Sequence, residues 1–325
     1  MSGNFIKRRP MLLAGLTGLA APRLARASTY PDRPIRLVIP YGGGGQTDIV
    51  SRVTAEALQQ RLGQPVLSDN RPGGAGNLAA EMVSRAPGDG YTILVATMGT
   101  NSGLNALLYK SVGYNAQRDF TPVGMFCTTS NLLMVHNSIP GRDFNEVAAW
   151  IKANPGKLAY GHGSSGSLVS AAMLCEMAGL QTVSVPYKGI PPAMTDLLGG
   201  QLQFAFADVG NAVSQINGGR MRGLGVTTRK RAGKAPTVPS IGDTVKDYNV
   251  SAWFGLMAPA GLPADVHKKA SAAFLAVLAK PEVREKIQGV GIDLDVEDSA
   301  TLAKTIDAEI KKWGGWVKAA GITPE

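Results

Sequence analysis

Four consecutive glycines, Gly42 to Gly45, separate a short apolar run, Ile35 to Ile39, from a stretch in which Ile49, Val50, Val53, Ala57, Leu58 and Leu62 recur at helical spacing. The pattern reads as strand, tight loop, helix, with Thr47 or Asp48 placed to cap the helix. Residues without Cβ atoms let a ligand come close to the backbone. The helix turn behind them presents unpaired N–H groups and a partial positive charge, a setting suited to a carboxylate or a phosphate without any lysine. Two nucleotide readings fail on spacing. A Walker loop closes on Gly-Lys, where this chain has Gln46 and Thr47, and the dinucleotide fingerprint would need its third glycine at Thr47 or Asp48.

The rest of the chain extends the same grammar. Val66 and Leu67 begin a second strand, Asn77 to Ala86 reads as a helix, and Tyr91 to Thr97 is a third strand ending in a loop, Met98 to Asn101. Alternation at this spacing implies an α/β fold of parallel βαβ units, with ligand loops at the carboxyl ends of the strands. Two apolar runs without a helix between them, Val123 to Cys127 and Leu132 to Val135, break the alternation. It restarts with a helix, Phe144 to Ala153, a strand, Leu158 to Tyr160, and a second small-residue loop, Gly161 to Ser167, before a helical stripe of Val169, Ala172, Met173 and Met177. Strands follow at Val183 to Val185, Gln201 to Ala207 and Gly223 to Thr227, the second delivering Asp208 at its end; helices are expected over Pro191 to Leu198 and Asn211 to Ile216. Past an apolar run, Ala252 to Ala258, come helical stretches Ala264 to Ala279, Pro281 to Gln288 and Ser299 to Lys318, which suggest a return to the first unit. The expected division is residues 28–130 plus 253–325 as domain 1 and residues 131–252 as domain 2. A ligand cleft lies between them, and the two chain crossings form a hinge.

The first 27 residues stand apart. Lys7-Arg8-Arg9 precede an apolar run, Met11 to Ala21, and Ala25-Arg26-Ala27 offers a cleavage site, so a secretory signal peptide and a periplasmic destination are expected, with the arginine pair raising the twin-arginine route. Its removal lowers the formal charge from +9 to +4, because it carries five cations and no carboxylate. A mature chain so mildly basic, with no cluster of Lys and Arg among aromatics, excludes nucleic acid as a partner and suits small anions. No histidine or cysteine spacing marks a metal site, and no cofactor pattern is present. Cys127 and Cys175 are read as two buried thiols, a bridge being the alternative that export permits. The second loop does not make a nucleophile elbow, since neither Ser164 nor Ser165 has glycine two residues before and two after. Its hydroxyls and N–H groups are better read as anion ligands, with His162 as a further candidate. Asp208 either caps the helix after it or accepts a hydrogen bond from a ligand hydroxyl, amine or protonated acid.

These residues resemble a known family, the Bug-type periplasmic solute-binding proteins of tripartite tricarboxylate transporters. The resemblance rests on Tyr30-Pro-Asp-Arg-Pro-Ile-Arg36, Pro40 to Asp48, Gly63-Gln-Pro-Val66, Asn70 to Asn77, Asp89-Gly-Tyr-Thr92, Pro155-Gly-Lys-Leu158, Val185 to Gly189, Asp196 to Gln201 and Ser251-Ala-Trp-Phe-Gly255, and it covers the mature chain. It implies a two-domain periplasmic binding protein of the Venus-flytrap kind, monomeric and not an enzyme, which closes on a small organic carboxylate and delivers it to a tripartite tricarboxylate-type permease. A periplasmic sensor using the same pocket is the alternative. Carried over by position, the ligand residues are Tyr41, Gly44, Gln46, Thr47 and Asp48 in the first loop, Thr97 and Asn101 after the third strand, and Ser164, Ser165, Ser167 and Asp208 in the second domain. The chain departs from the family where Gly42 to Gly45 replace a common Ala-Pro-Gly-Gly and where His162 replaces a common serine. With three histidines and few cations at the cleft, a mono- or dicarboxylate fits better than a tricarboxylate.

Overall fold

The computed structural model describes Met1, residues 30–156, 158–292, 294–319 and Pro324. Met1 apart, the expected signal peptide over residues 1–27 lies outside the described residues.

Each half of the chain contains the same small motif. In the first half, β1 (Ile35–Ile39), α1 (Gln46–Leu62), β2 (Val66–Asn70), α2 (Asn77–Ser84) and β3 (Thr92–Thr97) form a parallel unit with β1 between β2 and β3. All residues of β1 but Arg36 are buried, as a strand covered on both faces requires, which explains why the other four are apolar. Two short helices follow, α3 (Met98–Asn101) and α4 (Leu104–Leu108), and then β4 (Phe120–Thr129). The loop expected over Met98 to Asn101 is thus a helical turn, closed by a reciprocal capping box between Thr97 and Thr100.

The second half repeats the unit. After β5 (Asn131–His136) and α5 (Phe144–Ala153) come β6 (Ala159–His162), α6 (Ser165–Ala178), β7 (Val183–Pro186), α7 (Ile190–Leu198) and β8 (Phe204–Asp208), with β6 between β7 and β8 in parallel. The chain continues through α8 (Val209–Asn217) and β9 (Met221–Val226), then β10 (Ala252–Pro259), α9 (Ala264–Leu278), α10 (Pro281–Gly289), β11 (Leu294–Asp298) and α11 (Ser299–Ala319). Two sheets result, ordered β11-β4-β10-β3-β1-β2 and β7-β6-β8-β5-β9. The strands outside the two parallel units, β4, β10 and β11 in one sheet and β5 and β9 in the other, pair antiparallel. That is the physical basis of the broken alternation: β4 runs into β5 through Ser130 alone, so one extended segment serves both sheets.

The last helices return to the first sheet. Leu302, Ile306 and Trp313 of α11 are buried in a core that also holds Val38, Leu94, Met125 and Trp253, while Phe274 and Val277 of α9 pack on the opposite face with Leu37 and Phe126. β11 was not expected from the sequence; its Leu294-Asp-Val-Glu-Asp298 is an edge segment of half-exposed residues without an apolar run. Among the described residues no helix is long and apolar enough to cross a membrane.

Cys127 lies on β4 and Cys175 on α6; both are buried and neither is in a disulfide. Burial pushes the Cys175 thiol up to about 11, partly offset by its contact with Thr182 Oγ1 at 3.2 Å. Neither sulfur should therefore react with a thiol reagent in the native protein. Two thiols should titrate only after denaturation, and reduction should leave the intact mass unchanged.

Candidate functional site

Because β1 lies between β2 and β3, and β6 between β7 and β8, the connections leaving β1 and β3, or β6 and β8, diverge at the carboxyl ends of adjacent strands. That divergence opens a crevice in each sheet. The four strand ends carry the residues singled out in the sequence: Tyr41 to Asp48 after β1, Thr97 to Asn101 after β3, His162 to Ser167 after β6, and Asp208 after β8.

At the first end, α1 starts at Gly45, whose extended backbone (φ −82°, ψ 167°) makes it the cap residue, and no side chain closes the turn. The capping role expected of Thr47 or Asp48 is therefore not found, since both lie inside the helix; the first turn keeps its N–H groups free of side-chain acceptors while Gln46, Thr47 and Asp48 are buried. Asp48 instead folds back to hold the loop. Its carboxylate accepts from Gly44 N at 3.0 Å, Arg52 Nε at 2.9 Å and Asn70 Nδ2 at 2.9 Å. Burial alone would raise this carboxyl, but the hydrogen bonds from Arg52, Gly44 and Asn70 and the Arg52 charge outweigh it and hold it below the usual range. Gly44 takes φ +88°, a conformation that a side chain would strain. Tyr41 hangs over the loop with its hydroxyl 3.4 Å from Thr97 Oγ1, and burial raises its phenol.

At the end of β3, the Thr97 hydroxyl is spent on the Thr100 capping box. Asn101 is wholly buried; its Oδ1 accepts from Thr100 Oγ1 at 2.6 Å, and its Nδ2 has no hydrogen-bond partner. Gln46 is likewise buried, with Nε2 donating to Gly291 O at 3.3 Å and Oε1 unpartnered.

The second wall is more self-contained. Ser164 caps α6 reciprocally with Ser167, and Ser167 Oγ also accepts from Gly163 N at 3.1 Å, so both hydroxyls hold the loop shape. His162 is buried at the end of β6 beside Tyr160, not solvated as a lone loop histidine would be. Asp208 caps α8, accepting from Asn211 N at 3.0 Å and Asn211 Nδ2 at 2.8 Å, and burial outweighs these donors to raise its carboxyl.

The walls touch. Ser165 Oγ donates to Asn105 Oδ1, and Asn105 Nδ2 in turn donates to Asn77 Oδ1 at 2.6 Å and Ala75 O at 3.3 Å. Ser165 is thus engaged with α4 across the cleft. Asn70, Asn77 and Asn105 were not singled out as site residues. The first two belong to the Asn70-to-Asn77 segment that carried the family resemblance, whereas nothing in the sequence marks Asn105.

The family model described as "Tripartite tricarboxylate transporter family receptor" matches residues 50–322. The structure of R. palustris Rpa4515 with adipate is 31% identical and superposes with a TM-score of 0.85 over 91% of this chain and 100% of that one. The periplasmic binding protein BugD gives 31% identity and a TM-score of 0.83, over 91% and 100% of the two chains. MatC from Rhodopseudomonas palustris, with bound malate, gives 28% and 0.80, over 89% and 100%.

The Asp48 cluster yields a pH prediction. A carboxyl held low in the folded chain stabilises it above the unfolded value of about 4, and that contribution is lost as pH falls through the folded value. Asp48→Asn should cost about 1–3 kcal/mol at pH 7, the usual scale for hydrogen bonds to a charged group. Its denaturant midpoint should then fall less than the wild type's between pH 6 and pH 3.

Proposed function

Because the chain belongs to the tripartite tricarboxylate transporter receptor family, whose members are solute-binding proteins and not enzymes, we propose that it captures a small mono- or dicarboxylate in the periplasm. On this reading it binds by closure of two domains and delivers the solute to a permease of the tripartite tricarboxylate type. The observation that carries the proposal is the start of α1, buried and without a side-chain cap at the crevice between β1 and β3. A ligand carboxylate supplies the acceptors that this turn lacks, directly or through water. Tyr41, Thr97 and Asn101 line the same wall, and the Asn101 amide has a donor to give.

The opposite wall would read the remainder of the solute. Ser164, Ser165 and Ser167 use their hydroxyls within the protein, so this loop presents shape and backbone, with His162 behind it. Asp208, at the end of β8, would meet the far end of the solute, its carboxyl raised by burial and able to accept from a hydroxyl, an amine or a protonated acid. Adipate and malate in the relatives are dicarboxylates, consistent with a solute that engages both walls.

Energetics require the closure. One exposed charge at a helix start contributes about 0.3–1 kcal/mol, whereas micromolar binding needs about 8 kcal/mol. Water must therefore be excluded and both walls recruited.

Two measurements test the reading. A thermal-shift panel of aliphatic, aromatic and amino-acid carboxylates, each paired with its amide, should show stabilisation of about 2.7 kcal/mol at a hundredfold excess over Kd for one acid class and none for its amides. Equal response to acids and amides would contradict carboxylate capture. Gly45→Ser places a hydroxyl where it can cap the first turn, in open space and at a backbone conformation serine accepts. Its stability should hold or rise by a few tenths of a kcal/mol, while carboxylate affinity falls; unchanged affinity would remove the α1 start from the site.

A further inference from the structure

The second helix residue of α8 is Gly210, and nothing local demands a glycine there. It does not occupy the left-handed region, and alanine is the better helix former at such a position. The demand comes from the other sheet. A Cβ on Gly210 would lie 2.5 Å from Val290 O, far inside contact distance, and 3.5 Å from Gln46 Nε2. Gly291, at φ +85°, meets it from the opposite side, and a Cβ there would lie 3.3 Å from Gly210 Cα and N. Lys234, from the segment between β9 and β10, donates through Nζ to Gly289 O, where its charge complements the carbonyl end of α10. Gln46 Nε2 completes the contact on Gly291 O.

We propose that Gly210 and Gly291 form a closure seam, a backbone-on-backbone contact that lets the two walls meet, with Lys234 clasping it and Gly210 as the positioning residue. Two of its members tie the seam to the ligand loops: Gln46 is the first residue of α1, and Gly210 follows Asp208 by two residues. The seam forms only when those loops are together. Gly210 needs no contact with solute to govern affinity, because it sets how far the cleft can shut. The inference rests on the closure reading above and adds that closure has a steric limit written in one absent Cβ.

Gly210→Ala separates this from a local role, with Lys234→Ala as a second variant that introduces no bulk. Unliganded melting temperature, calorimetric titration with adipate, malate and the acids found in the thermal-shift panel, and small-angle X-ray scattering with and without acid are compared with wild type. The expected result for Gly210→Ala is a melting temperature equal to or above wild type, a loss of at least tenfold in affinity by the same factor for every acid, and larger dimensions in scattering. Lys234→Ala should show a smaller uniform loss. Wild-type affinity with wild-type dimensions would overturn the seam, as would a loss confined to one acid, which would make Gly210 a solute contact. If no acid binds even the wild type, carboxylate capture fails, and scattering alone decides the seam: a more open Gly210→Ala supports it, and equal dimensions overturn it.

Discussion

A helix that begins at a glycine and buries its first turn must find acceptors for its leading N–H groups from outside its own side chains. α1 is such a helix, and much of the site follows from it. The loop ahead can stay narrow because Asp48, which might have faced a ligand, is turned back onto Gly44, Arg52 and Asn70. This keeps a negative charge engaged with protein donors near the place proposed for the anion. The three remaining strand ends use the opposite device. Thr97, Ser164 and Asp208 each cap the helix that follows them, so those turns are rigid and already satisfied. One turn without a side-chain cap beside three that have one gives the crevice a direction, and on the proposed reading charge is received at α1 and shape is read elsewhere.

The parts of this arrangement legible in the sequence are those encoded by neighbours in the chain. Ile35 to Ile39, the glycines and the stripe from Ile49 to Leu62 are contiguous, and so are Leu158 to Tyr160 and the serine loop; periodicity exposes both. The return of the chain to the first sheet was legible from the helical tail. The direction of β4 and β10 was not, because an apolar strand looks the same whether its neighbour runs parallel or antiparallel. β11 escaped because an edge strand with half-exposed residues has no apolar signature. Asp48 was legible as a polar residue at a helix start but not as a loop clasp, since its partner Asn70 arrives from the end of another strand, 22 residues away.

Ser165 marks the same limit at the site. A serine opening a helix in a glycine-rich loop reads as an anion ligand, and its neighbours permit nothing else to be inferred. In the fold its hydroxyl reaches Asn105 Oδ1, and the Asn105 amide is divided between Asn77 and Ala75, so both donors and the oxygen of that side chain have protein partners. Pairings of this kind join segments about 30 and 60 residues apart. Only the three-dimensional register reveals that a hydroxyl expected to face solute is holding the opposite wall.

Wall-to-wall contacts of this type change what affinity means for such a protein. A solute carboxylate on one helix start contributes little by itself, so the free energy of binding is dominated by whatever both walls gain when they meet. The Ser165–Asn105 bond lies on one approach between the halves, and the contact of Gly210 with Gly291 on another. Neither discriminates among solutes, because neither depends on solute chemistry. On the proposed reading discrimination falls to groups with unspent capacity, such as the Asn101 amide, and to Asp208, whose carboxyl is raised by burial. Solved structures of this fold hold acids as different as adipate and malate, and on the closure reading the residues that shut the cleft need not be those that choose its contents.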